Sequence, residues 1–101
     1  MSGTLGVLVS SDRHMDLIIG LCRSARKKGL GLSIFFTHTG TKLTRHPRFP
    51  ELAGLARMSI CKVGFEDNRL TAPVPGIKEK DYSTQARNAE LIEECDRYVA
   101  F

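Results

Sequence analysis

The sequence predicts a single α/β domain, a three-layer α/β/α sandwich built on a mostly parallel sheet. Three observations carry that prediction. Residues 5–9 are an aliphatic run without polar alternation, as a central strand covered on both faces requires, and residues 30–36 (Leu-Gly-Leu-Ser-Ile-Phe-Phe) read as a second strand. Between them Met15, Ile18, Ile19, Cys22 and Ala25 recur at the spacing of one helical face, so the opening third reads as a β-α-β unit. Strand-like and helix-like segments then alternate to the end, and parallel strands need crossover connections that lay helices on the sheet faces.

Taken in order, Ser10, Ser11 and Asp12 end the first strand and offer a cap to the helix that follows. Arg23, Arg26, Lys27 and Lys28 gather in its last turns, where cations suit the negative end of the helix dipole, and Gly29 or Gly31 supplies the stop. The polar residues 37–41 close the second strand. A helix is expected over 47–57, with Phe49, Leu52, Leu55 and Ala56 on one face and Pro50 in its first turn. Residues 58–63 read as a third strand, and periodicity leaves open whether a helical turn begins at Lys62. Residues 66–76 have turn composition, with 70–74 as a short edge strand. Ser83 is the expected N-cap of a last helix, along which Ala86, Ala89, Ile92 and Cys95 recur every three residues, and 98–101 finish as a strand.

With 101 residues, 42% hydrophobic and 26% charged, the chain has the size and composition of one globular domain. Its apolar runs are far short of the ~18 residues of a membrane span, and residues 1–4 lack the basic start of a secretory signal. The expected address is the cytoplasm. Fifteen Lys and Arg against 11 Asp and Glu give a net charge of +4, a mild basic excess that points to solubility rather than to nucleic acid. The glycines form neither GxGxxG after the first strand nor GxxxxGK[ST], which disfavours dinucleotide and P-loop chemistry.

Chemistry is expected beyond the carboxyl ends of the strands, where open α/β sheets bind ligands. Cys61 sits at that edge. Backbone N–H groups after it, together with Lys62, would favour the thiolate that acts as a nucleophile, and His38 leaves the second strand on the same edge. The competing reading makes Cys61 a small apolar core residue, as free cysteines commonly are. Cys22 and Cys95 fall on the apolar faces of their helices and read as inert core thiols. The three cysteines have no Cys-x-x-Cys spacing, and His14, His38 and His46 include no i, i+4 pair, so neither a metal nor a disulfide framework is expected, nor a cofactor.

Several local patterns resemble the DsrE/DsrF-like family, which includes the TusD-type sulfur-relay subunits. The likeness lies in Gly6-Val7-Leu8-Val9-Ser10-Ser11, in the stretch from Gly20 to Phe36 with Ala25, Gly29 and Phe35-Phe36 before Gly40, in Ile60-Cys61, and in the ending Cys95-Asp96-Arg97-Tyr98-Val99-Ala100-Phe101. The resemblance implies one DsrE-like, flavodoxin-like domain over 1–101. It implies a sulfurtransferase-type carrier that accepts a persulfide on Cys61 and passes it to a partner, with sulfur donor and acceptor proteins as partners. It also implies a homo-oligomer, trimer or hexamer, or a hetero-oligomer. Lys62, His38, Ser10 and Gly40 are the supporting candidates. The residues after Cys61 depart from the family in lacking small, alanine-rich positions. The alternative function is a non-catalytic oligomeric interaction or regulatory module of the same fold, with a small anion held by N–H groups after Ser10 and Gly40. Phe49, Phe65, Tyr82 and Phe101 are the aromatic candidates for an oligomer surface.

Overall fold

The computed structural model describes residues 3–101. Five strands, β1 (Thr4–Val9), β2 (Gly31–Phe36), β3 (Arg57–Cys61), β4 (Tyr82–Ser83) and β5 (Arg97–Ala100), pair in the order β4-β3-β2-β1-β5. Every pairing is parallel. Helices α1 (Met15–Lys27), α2 (Pro50–Ala53), α3 (Lys62–Asp67) and α4 (Gln85–Glu94) connect the strands, and the architecture is the predicted α/β/α sandwich.

The order of connections divides the helices between the faces. From β1 to β4 the chain steps one strand at a time in one direction, so right-handed crossovers keep α1, α2 and α3 on one side. The step from β4 to β5 returns across the whole sheet, and α4 lies on the other side. Burial follows this division. Val7, Val9, Ile34, Phe36 and Ile60 point into the main core with Ile18, Ile19, Phe49 and Phe65, while Phe35 and Cys61 point the other way and meet Leu91 of α4. Phe36 and Phe49 pack with ring centroids 5.6 Å apart. On the same side Arg48 bonds both Asp16 of α1 and Glu51 of α2, and Arg23 reaches Glu51.

Several local expectations change. The predicted face of α1 is buried as expected, but its N-cap is His14 without a side-chain bond, not a residue of 10–12. Residues His38–Arg45, read as part loop, form a 3-10 helix in which Thr41 and Thr44 turn their hydroxyls back onto the carbonyls of His38 and Thr41, which explains how buried threonines are satisfied there. The helix expected over 47–57 shrinks to the four residues of α2, because Pro50 fixes its first turn and Gly54 ends it. The edge strand is Tyr82–Ser83, and residues 70–74 are irregular. Thr84, not Ser83, caps α4, its hydroxyl accepting from the Ala86 N–H. The inward residue of α4 is Leu91; Ala86 and Ala89 are exposed and Ile92 is 49% exposed. Phe49 and Phe65 are internal and Tyr82 and Phe101 half-buried, so among the described residues the large apolar side chains exposed at the surface are Leu17, Val63 and Ile92.

Candidate functional site

In an open α/β sheet the ligand crevice forms where adjacent strands send their following elements to opposite faces. Here that point lies between β3 and β4, since α3 joins the main core and α4 covers the other face. Cys61 and Ser83 are register partners at the carboxyl ends of these two strands. The sequence therefore leads Cys61 to the switch point of the sheet.

Cys61 ends β3 in extended conformation and immediately precedes α3, whose first N–H groups have no intrahelical acceptor. Its side chain lies on the α4 face against Phe35 and Leu91 and is 6% exposed. Among the described residues one polar group reaches the sulfur: the Gln85 amide, in the first turn of α4, donates from Nε2 to Cys61 Sγ at 3.6 Å and to Thr37 Oγ1 at 2.7 Å. Gln85 itself is solvent-exposed. The thiol thus packs against hydrocarbon of Phe35 and Leu91 and carries the amide of the exposed Gln85.

The supporting candidates are brought to the same edge but do different things. His38 opens the 3-10 helix with φ 50°, its side chain exposed, and its carbonyl accepts from Asn68 Nδ2 at 2.8 Å. Asn68 also donates to Thr41 Oγ1 and the Gly64 carbonyl, and so ties α3 to the loop after β2. Gly64 permits that contact, because a Cβ there would stand 3.1 Å from the His38 nitrogen. Gly40 packs on the end of β1, where a Cβ would meet the Val9 carbonyl oxygen, and its N–H is taken by the Thr37 carbonyl. Ser10 gives both its N–H and its hydroxyl to the carbonyl of Phe101. The N–H groups of Ser10 and Gly40 themselves thus have backbone acceptors. Lys62 turns to the opposite side of the strand edge, where it lines a groove of about 830 Å³ with Phe65, Leu70, Ile77 and Tyr82. Phe65 and Tyr82 meet edge to face there, and the Tyr82 hydroxyl is buried without a partner. Burial, then Asp81, raises that phenol above its ordinary value.

The other two thiols are differently placed. Cys22 is fully buried under α1, and burial pushes its thiol up to about 11. Cys95 caps the far end of α4 beside Gly6, and burial, Glu94 and Asp96 raise its thiol as well. Among the described residues no three His, Cys, Asp or Glu side chains are grouped to hold a metal ion, and no helix is long and apolar enough to cross a membrane. Gln85 and Asn68 escaped the sequence reading, whereas Thr37 lies in the polar segment 37–41 already placed at the ligand edge. The available signal for Gln85 was its place in the first turn after the strand that reverses the sheet order. No family model, curated protein or solved structure matches the chain.

Proposed function

We propose that the protein is a sulfur carrier, or thiol-transfer protein, in which Cys61 accepts a sulfane sulfur and hands it to a partner protein. The observation that carries this reading is the place of the Cys61 sulfur: at the switch point of the sheet, with the Gln85 amide on it at 3.6 Å and solvent beyond that amide. Thiol exchange needs access and a stabilised sulfur anion more than it needs a large pocket. In the accepting step the Cys61 thiolate attacks the outer sulfur of a donor persulfide; the new bond joins the two sulfurs, the donor's own sulfur–sulfur bond breaks, and the donor departs as a thiolate. The passing step repeats the exchange, with a partner thiolate as the attacking group and Cys61 as the leaving one. The Gln85 amide is the donor on that sulfur, since Cys61 makes no side-chain bond to the N–H groups that open α3.

Swinging Gln85 away is the motion this chemistry requires, since Phe35 and Leu91 are fixed in the interior. The test is intact-mass measurement after incubation with a small persulfide donor. The wild type gains one sulfur and Cys61→Ser does not; a gain that persists in Cys61→Ser removes the assignment. Assembly as a trimer, hexamer or hetero-oligomer, and a cytoplasmic setting, belong to the same proposal, and light scattering on the purified protein tests the first of these.

A further inference from the structure

A second concavity runs along the sheet face that carries Cys61, beside α4. It encloses about 380 Å³ and is lined by Arg57, Lys78, Lys80 and Arg87 with the hydroxyl-bearing Ser59 and Ser83. The strand pleat explains its layout. Arg57, Ser59 and Cys61 alternate with the core residues Met58 and Ile60, so they project from one face of β3 over a span of ~13 Å.

The four cations come from separate parts of the chain: the start of β3, the 3-10 turn at Glu79–Asp81 with the residue before it, and α4. Little within the chain balances them. Asp81 is the one carboxylate lining the groove, and it accepts the Lys78 backbone N–H at 2.8 Å. Arg87 has only a loose ion pair with Glu90 at 3.7 Å. Among the described residues no carboxylate is within ion-pairing distance of Arg57, Lys78 or Lys80. A pocket rimmed by one sign of charge raises the local concentration of oppositely charged ligands and speeds their encounter.

We propose that this groove docks an acidic, extended polypeptide segment of a partner protein. Charge complementarity selects an anion, and the rest of the lining selects a peptide. No aromatic side chain lines the groove, so it offers no platform on which nucleic-acid bases would stack. Its apolar lining comes from Ala56, Gly76 and the small part of Met58 outside the core, which leaves a place for an aliphatic side chain between carboxylates. Beside it runs β4, the last strand of the sheet, whose two residues bring Ser83 to the groove wall. The docking goes beyond the sulfur-transfer reading and does not depend on it, although a segment seated here would end near Cys61.

Fluorescence anisotropy with a short labelled peptide of glutamates interspersed with leucines tests the proposal on the full chain at low salt. The peptide binds the wild type, and binding weakens by about tenfold or more in Arg57→Glu/Lys80→Glu. It changes little in Lys27→Glu/Lys28→Glu, which alters the net charge equally at the end of α1. A milder Arg57→Gln/Lys80→Gln pair, checked by thermal melting, shows a smaller loss in the same direction. Absence of binding to the wild type, equal weakening in the two charge-reversed variants, or tighter binding of a single-stranded oligonucleotide than of the peptide overturns the proposal.

Discussion

Replacing Gln85 with alanine uncovers Cys61, and the size of the effect follows from two hydrogen bonds. In the closed arrangement the Gln85 amide donates to Thr37 Oγ1 at 2.7 Å and to Cys61 Sγ at 3.6 Å. A neutral hydrogen bond contributes about 0.5–1.5 kcal/mol net, and one to sulfur at this distance lies at the low end. Together the pair holds the thiol covered by about 1–2 kcal/mol. Since about 1.4 kcal/mol is tenfold, the population with an open thiol rises roughly five- to thirtyfold in Gln85→Ala. Pulse alkylation of the folded protein with iodoacetamide, followed by peptide mass mapping, reads this for each cysteine separately. The Cys61 rate rises by that factor, the Cys95 rate stays level, and Cys22 remains unlabelled. A change at Cys61 below about twofold refutes the gating role. So does a parallel rise at Cys22, because that thiol is 0% exposed and reports global opening.

Three further outcomes follow from the packing and charge. Leu91 is the only fully buried residue of α4 and fills the space above Gly6 and Phe35, so Leu91→Ala costs about 2–4 kcal/mol in denaturant unfolding and also speeds Cys61 alkylation as α4 loosens. Gly40→Ala places a methyl 2.2 Å from the Val9 carbonyl oxygen, a backbone atom held in the sheet, and lowers stability by about 2–4 kcal/mol; a change under 0.5 contradicts that contact. Glu51 is held below its ordinary value by the Arg48 hydrogen bonds first, then by charge attraction from Arg48, Arg23 and His46. A depressed carboxylate adds stability above its unfolded value of about 4.3 and loses it as the pH falls through the lower folded value. Thermal melts of Glu51→Gln therefore show a shallower acid decline than the wild type below about pH 4, and parallel curves remove this ion cluster from the account.

The main core was legible because its residues are patterned. Met15, Ile18, Ile19, Cys22 and Ala25 repeat at helical spacing and all are buried. Val7, Ile34 and Phe36 sit in unbroken apolar runs and are buried too. The α4 layer was less legible. Its alanines recur every three residues as a buried face would, yet Ala86 and Ala89 are exposed and Leu91 is the residue the helix buries. The residues around 38–45 deceived in the opposite way: Thr41 and Thr44 look like loop residues, but their hydroxyls bond backbone carbonyls three positions back, which removes the penalty for burial. For the site, a third strand carrying Cys61 could be read from the apolar run at 58–63, but not its end, because Val63 continues the apolar run while belonging to α3. The cover of Cys61 could not be read either, because Gln85 lies 24 residues away and only the crossing of α4 over the sheet brings the amide to the sulfur. The roles of Ser10 and Gly40 were also out of reach, as both depend on contacts with segments distant in sequence, the Phe101 carbonyl and the end of β1.

The sulfur-carrier account is tested most directly by locating the transferred atom. After incubation with a small persulfide donor, the folded protein is trapped with an alkylating reagent, digested and mapped, so that each of Cys22, Cys61 and Cys95 is scored for an added sulfur. The account predicts the extra sulfur on the Cys61 peptide alone. Sulfur on the peptide of Cys95, the thiol with the greatest exposure, and none on that of Cys61 contradicts it.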